Sequence, residues 1–370
     1  MIKIGIECEN LEDSKSRWGI GHMVLNLLKE YEKNPEWQSK YSLYLYFNKF
    51  IPNDEVLKNP VFIKKVIGSK IFNSFNIFYH LFLPLKAMLD GVNFMFFPAY
   101  MMPPLYFGKA IVLLTNDVYH EYKDGSLPFR YKLAYQLFTN WAAIFAHKIL
   151  TISNYSKNEV ARLYNINEKR IFVSKLGVDL SHENYPGRIV NGEYLLYVGQ
   201  MFPRRHAREN ILAFEKIAPD IPSLKFVLVG RDKYPDMPIN GLILKINKSL
   251  GENRIIYHDY IESDDDIRSL YAHAELFIYV SDHEAFGLPP VEAASYKVPV
   301  IISDNKLGHE IFRNFAFYIK SGQNINEMAE VIKEAIYDQE KRDYFKANYP
   351  AIIRELSWNN FAKNFFDNIN

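Results

Sequence analysis

The chain has a single cysteine, Cys8, so a disulfide framework and a cysteine-ligated metal site are both excluded. No apolar run reaches membrane-spanning length, and a transmembrane helix is therefore not expected. The opening residues Met1-Ile2-Lys3-Ile4-Gly5-Ile6 lack the layout of a signal peptide, and a reducing cytoplasm is the expected location. Nor is there an excess of charge of one sign: 44 Lys and Arg stand against 43 Asp and Glu. Without a basic stripe, a nucleic-acid partner is not expected. The balance is uneven along the chain, however. Residues 1–180 carry 22 Lys and Arg against 16 Asp and Glu, and the remainder 22 against 27. A solvated surface accounts for this, as does a weak preference of the first half for an anionic surface such as a membrane face.

What is present is apolar mass. Of 370 residues, 48% are hydrophobic and 15% aromatic, enough for large cores and too long for one, so two domains are expected. Apolar runs that read as strands lie at 2–8, 41–47, 61–67, 93–98, 110–116, 149–153 and 171–178. The pattern restarts at 194–198, 225–229, 254–258, 276–280 and 298–302. Helical patterns fall between, including a long amphipathic stretch over 129–147 and short ones at about 207–218, 239–249, 264–273 and 290–296. Strand alternating with helix implies parallel sheets, hence two doubly wound α/β domains in tandem. The expected division is 1–180 and 181–355, with a polar, turn-forming linker at 181–192. A final helix near 356–370, carrying Trp358, Phe361, Phe365 and Phe366, is expected to pack back on the first domain. Ser156 with Glu159 reads as a capping box. The aromatic-dense stretch 71–89, interrupted near Pro84 and flanked by Lys64, Lys65, Lys70 and Lys86, reads as a core-facing helix or as a surface that meets lipid.

Ligands of open α/β sheets sit beyond the C-terminal ends of the strands, and the polar residues there are the candidates. After the first strand come Gly19-Ile20-Gly21, which let a phosphate approach backbone N–H groups or simply make a tight turn. Asn116, Asp117 and His120 follow another strand. In the second half, Gly199-Gln200-Met201-Phe202-Pro203-Arg204-Arg205 places two guanidinium groups after a strand. They suit a diphosphate, since each can give paired hydrogen bonds, or form a solvated basic turn. Gly230 ends the next strand, and Tyr260 and Ile261 follow another, in position to edge a nucleobase or to pack as ordinary strand ends.

One stretch carries more than the rest: Glu284-Ala285-Phe286-Gly287-Leu288-Pro289-Pro290-Val291-Glu292. It reads as a strand-to-helix turn with prolines in the first helical turn, where the N–H groups lack intrahelical partners. Donors near Phe286, Gly287 and Leu288 then point outward beside two carboxylates, neither expected to face the core. Such a turn suits a polyhydroxylated ligand attached to a phosphate. Asp264-Asp265-Asp266 reads as a helix start in preference to a metal site.

Taken together these residues resemble the family 4 glycosyltransferases, retaining enzymes of the GT-B fold, whose hallmark is an acidic pair with seven residues between. Glu284 and Glu292 match it, as do Gly19-Ile20-Gly21, Phe97-Pro98 with Pro103-Pro104, Ile152 to Ser156, and Gly199 to Arg205. The resemblance implies two Rossmann-like domains facing each other across a cleft, an acceptor-side domain followed by a donor-binding one. It implies that Glu284, helped by the N–H groups of Phe286, Gly287 and Leu288, holds the donor sugar, and that Glu292 holds the ribose. Arg205 would neutralise the leaving diphosphate, and Gly21 would approach its distal phosphate. It implies a nucleotide-diphosphate sugar as co-substrate, a glycan or lipid-linked glycan acceptor, and no metal or other cofactor; contact with the inner membrane face is an expectation of the charge and aromatic patterns above. The nearest pattern is that of bacterial polysaccharide and lipopolysaccharide mannosyltransferases, which makes GDP-mannose the expected donor. Two departures stand out: Gln200 where the family often has Arg, and Asn116 before Asp117 where it often has His, with His120 close by. A sugar-nucleotide epimerase of the same fold and a non-catalytic nucleotide-sugar or glycan binder are the alternatives.

Overall fold

The computed structural model describes residues 1–12, 19–68, 74–123, 128–179, 187–235 and 238–369. Trp18, Lys70, Phe72 and the first half of the expected linker lie outside these residues. The chain forms two compact units, Met1–Gly177 with Trp358–Asn370, and Val178–Ser357. The boundary falls three residues before the one expected from the sequence.

The first unit is built on seven parallel strands: β1 (Ile2–Glu7), β2 (Tyr41–Phe47), β3 (Ile63–Val66), β4 (Phe94–Phe97), β5 (Lys109–Leu113), β6 (Lys148–Thr151) and β7 (Ile171–Val173). They lie in the order β3-β2-β1-β4-β5-β6-β7. Helices cover both faces of such a sheet, so its central strands are apolar throughout; all four residues of β4 are buried. The edge strand β3, Ile63-Lys64-Lys65-Val66, carries two lysines, a common guard on an unpaired edge.

The second unit repeats the plan with six parallel strands: β8 (Tyr194–Val198), β9 (Lys225–Val229), β10 (Ile255–His258), β11 (Leu276–Tyr279), β12 (Val300–Ser303) and β13 (Phe317–Ile319). Their order is β10-β9-β8-β11-β12-β13. The direction of winding reverses between β1 and β4 in the first unit and between β8 and β11 in the second. Loops on either side of such a reversal leave the sheet in opposite directions and open a crevice at the C-terminal edge.

Helix Trp358–Asp367 belongs to the first unit. Its aromatics recur at i, i+3, i+7 and i+8, one helical face. Phe366 stacks on Tyr41 at 5.2 Å between centroids, and Phe365 lies 4.8 Å from Phe96.

Several local expectations are corrected. Strand β13 and helices Lys306–Phe312, Ile325–Tyr337 and Gln339–Ile353 were not foreseen; β13 is only three residues long, too short to show a period. The helix after β6 starts at Asn154, and its N-cap is Ser153, whose hydroxyl accepts from the Ser156 N–H at 2.9 Å. Glu159 pairs with Arg162 instead of closing a capping box at Ser156. Pro84 does not interrupt its helix: it sits in the first turn of segment Leu83–Leu89, which continues a π turn over Phe78–Phe82. Asp264 to Asp266 do start a helix, capped by Ser263.

Candidate functional site

In the second unit, the loops after β8 and β11 meet at the winding reversal. Arg205 follows β8 in a short 3-10 turn, Pro203–Arg205, and Glu284 follows β11. The two form a paired-fork ion pair: Nε donates to Glu284 Oε1 at 2.7 Å and an Nη donates to Oε2 at 3.2 Å. The second Nη donates to the Gln200 carbonyl at 3.1 Å. Tyr279 and Ser281 hydroxyls donate to the same Glu284 oxygen at 3.3 and 3.1 Å. Both charged side chains are largely withdrawn from solvent, Arg205 to 15% and Glu284 to 13% exposure. Glu284 therefore does not stand clear of the fold as the sequence suggested. Burial pushes its carboxyl up, but the Arg205 charge and hydrogen bonds, Arg204 and Ser281 outweigh it and leave it below the ordinary value. Burial likewise works against the Arg205 charge, and Glu284 more than offsets it.

The approach of these loops depends on backbone that only glycine adopts without strain. Gly199 and Gly230, at the ends of β8 and β9, have φ of 145° and 141°. A Cβ on Gly230 would lie 1.9 Å from the Gly199 carbonyl oxygen, so the two turns fit only because Gly230 has no side chain. Gly287, at φ 78°, caps helix Leu288–Ser295 and turns Leu288 into its first residue. Phe286 is buried beneath the turn. A recess beside the pair is lined by Tyr279, Glu284, Phe286 and Gly287, and by Ser303 and Gly308 from the next strand-to-helix turn.

Two further cross-loop contacts tie the arginine segment down. Asp282 N–H donates to the Arg204 carbonyl at 3.0 Å, and Arg204 Nε donates to the His283 carbonyl at 3.3 Å. His206 is buried, and its Nε2 lies 2.8 Å from Asp282 Oδ1. Sequence reasoning missed His206, Asp282, Tyr279 and Ser281. None carries a spacing signal, because their partners are set by strand order.

Glu292 sits in helix Leu288–Ser295, half-buried, and accepts a hydrogen bond from the Tyr271 hydroxyl at 2.9 Å. It too is drawn inward, against expectation. Burial raises its carboxyl above the ordinary value, the Tyr271 bond pulling the other way and the Asp179 charge adding to the rise. Tyr271, on helix Asp264–Ala272, was a further residue missed. Gln200 is exposed at the loop tip. Tyr260 and Ile261 follow β10, two strands from β8 at the sheet edge, with Tyr260 exposed.

The remaining expected residues belong to the first unit. Gly19 has φ 80° and caps helix Ile20–Glu32, with open space where a side chain would be. Gly21 lies inside the first turn of that helix and not in the loop, though its N–H is still one of those without an intrahelical carbonyl. Asn116 opens helix Asn116–Lys123 and is fully buried, with Asp117 next to it. Tyr100 and Tyr164 both lie within electrostatic reach of Asp117. The His120 ring stands edge-on to Tyr119 at 5.8 Å.

Residues 184–351 match the family described as glycosyl transferases group 1. The match falls within the second unit and takes in both Arg205 and Glu284. O-antigen chain mannosyltransferase B of Escherichia coli is 28% identical over 227 residues, 58% of this chain and 58% of that protein. O-antigen chain mannosyltransferase RfbU of Salmonella typhimurium is 28% identical over 193 residues, 51% of this chain and 52% of that protein. The chain thus spans little more than half the length of these curated relatives. Among solved structures, that of Anabaena HepE in complex with UDP and glucose superposes with a TM-score of 0.73 at 16% identity, covering 99% of each chain. The two units are therefore the two Rossmann-like units of the GT-B fold.

Proposed function

We propose that the protein is a retaining glycosyltransferase that moves mannose from GDP-mannose to a hydroxyl of a glycan or lipid-linked glycan during cell-surface polysaccharide synthesis. The observation that carries this reading is the buried Arg205–Glu284 fork at the β8/β11 reversal. A polyol diphosphate offers both partners what they already exchange: hydroxyl donors for the carboxylate and phosphate oxygens for the guanidinium. Mannose is taken from the names of the two O-antigen relatives; guanosine and the retaining outcome come from the resemblance of the sequence.

In this reading, breaking the sugar–phosphate bond builds positive charge on the ring and negative charge on the diphosphate. Arg205 and Arg204 stabilise the diphosphate, together with N–H groups at the start of helix Leu288–Ser295. Glu284 accepts from sugar hydroxyls and Glu292 from the ribose. The leaving phosphate oxygen takes the acceptor proton on the face it departs from, which keeps the anomeric configuration. Asn116, Asp117 and His120 attend the acceptor. The arginines supply the cationic charge that a metal would otherwise bring, so no metal is required. We place the protein in the cytoplasm, at the inner face of a membrane. Among the described residues no helix is long and apolar enough to cross one.

The test is a panel of sugar nucleotides followed by NMR for binding and slow hydrolysis, in chelator and with added divalent ion. Slow release of α-mannose from GDP-mannose in chelator is the expected result. Conversion of the donor without an acceptor to an isomeric sugar nucleotide would identify an epimerase, and binding without turnover for any acceptor a binding protein. A strict divalent-ion requirement would overturn the mechanism.

A further inference from the structure

Helix Phe129–Phe145 in the first unit leaves an apolar stripe outside. The side chains it buries are small: Thr139, Ala142 and Ala143. Phe138 and Trp141 are partly covered, but four large apolar side chains face solvent: Phe129 is 80%, Ile144 63%, Leu137 61% and Leu133 44% exposed. At 3.6 residues per turn these four fall within about 80° of the helix circumference. A helix of a water-soluble domain shows the reverse pattern, and a contiguous exposed apolar patch marks an interaction surface. The sequence pattern of this stretch suggested an ordinary amphipathic helix; the fold decides which face is inside.

Charge indicates the occupant. Residues 128–148 contain no Asp or Glu, but include Arg130, Lys132 and Lys148. Arg170 donates to the carbonyls of Ile144, at 3.1 Å, and of Ala146, bringing another cation to the C-terminal end of the stripe. Beyond the effect of burial, Lys109, Lys148 and Arg170 all act on His147 there, so these charges lie near one another. On a different side of the helix, Phe138 stacks on the His80 ring at 5.0 Å, and the segment that follows His80 has its own exposed Leu85, Met88 and Leu89. Its own lysines are engaged elsewhere: Lys65 and Lys86 both pair with Asp90. A second copy seated on the stripe would bring like charges together in a two-fold interface, whereas an anionic bilayer neutralises them.

We propose that helix Phe129–Phe145 lies in the interface of an anionic bilayer, its apolar stripe among the acyl chains and its flanking Arg and Lys side chains at phosphate level. This deepens the membrane-face location inferred above. Long basic side chains reach from such a depth to the headgroups while their stems stay apolar.

The experiment is sedimentation of the full chain with vesicles of phosphatidylcholine alone and with added phosphatidylglycerol, at low and high salt, with donor hydrolysis measured on the same preparations. Wild-type protein is expected to bind the anionic vesicles and to be released by salt. L133E/L137E is expected to lose binding by roughly ten-fold or more per substitution, with circular dichroism and donor hydrolysis unchanged. R130Q/K132Q, which leaves the stripe intact, is expected to weaken binding to anionic vesicles about five-fold per charge and binding to neutral ones little. Absence of wild-type binding, or equal binding by L133E/L137E, would overturn the proposal. So would a concentration-dependent dimer abolished by L133E/L137E in protein that ignores vesicles. Vesicle binding without donor hydrolysis would sink the transferase reading and leave this surface standing; hydrolysis without vesicle binding would do the opposite.

Discussion

His206 Nε2 and Asp282 Oδ1 lie 2.8 Å apart, joining the residue after Arg205 to the residue two before Glu284. The ring is 4% exposed, its other nitrogen lies 3.8 Å from Glu209, and its backbone is left-handed at φ 48°. Non-glycine residues hold that conformation at a cost that surrounding contacts must offset. Gly322 is part of this arrangement: a Cβ there would fall 2.1 Å from the His206 ring. Together with the Arg204 contacts, this pair straps the arginine loop to the Glu284 loop independently of the Arg205–Glu284 fork.

His206→Asn keeps a residue that tolerates left-handed backbone but removes the charge-assisted bond. Burial lowers the His206 pKa, yet the bond to Asp282 and the nearby Glu209 carboxylate raise it to about 9. A raised histidine stabilises the fold fully below its unfolded value near 6.5, and that contribution disappears as pH rises through about 9. We expect His206→Asn to lower kcat several-fold with little change in donor KM, and to flatten the fall of stability between pH 7 and 9. Gly322→Ala should reproduce the kcat loss by displacing the ring. Stability profiles that superpose for wild type and His206→Asn would refute the strap.

The Arg205–Glu284 fork separates function from stability. Arg205→Ala leaves a buried carboxylate without its cation and is expected to cost about 3–5 kcal/mol. The double variant R205M/E284L removes both charges and should melt within a few degrees of wild type while losing transfer altogether. Glu284→Gln alone should cut kcat/KM by about 100-fold or more. Calorimetry with a single-turnover transfer assay checks this; a double variant as unstable as Arg205→Ala would make the pair a structural device.

Glu292 and Tyr271 set a pH dependence for donor binding. The carboxyl is raised by burial and must be ionised to accept from ribose hydroxyls, so donor affinity should fall as pH drops through its pKa. Tyr271→Phe removes the bond that restrains the rise, and the fall should begin at higher pH. Glu292→Gln should weaken donor binding about ten-fold and remove the pH dependence. Titration calorimetry across pH 5 to 8 decides it, and a pH-independent wild type would count against the assignment.

Glu7, at the end of β1, is 1% exposed, with its oxygens taken by the Glu9 N–H and Asn10. Burial raises its pKa to about 8. The folded state therefore holds a proton that the unfolded chain has released, and stability should decline between about pH 4.5 and 8. At 1.36 kcal/mol per pH unit the decline from this group is at most about 5 kcal/mol. Glu7→Gln should remove it and be more stable than wild type at pH 8. Denaturant melts at several pH values provide the check; an unchanged slope in Glu7→Gln would refute it.

The sequence alone determined the alternation of strands and helices and where the chemistry-bearing loops lie along it. Parallel strands covered on both faces appear as unbroken apolar runs, such as Phe94–Phe97 and Leu276–Tyr279. The turn around Gly287 was legible because prolines and glycine leave few other backbone options. Helix Trp358–Asp367 was legible because its aromatics fall on one face. Tertiary structure decided which loops meet. Arg205 and Glu284 are 79 positions apart and touch only because β8 and β11 are neighbours at the winding reversal. Strand order arises from crossovers packing over the whole sheet, and no local period encodes it. The same holds for Tyr271 with Glu292 and His206 with Asp282. It holds too for helix Phe129–Phe145, where the fully buried positions are Thr139, Ala142 and Ala143 and a stripe of large apolar side chains is left outside.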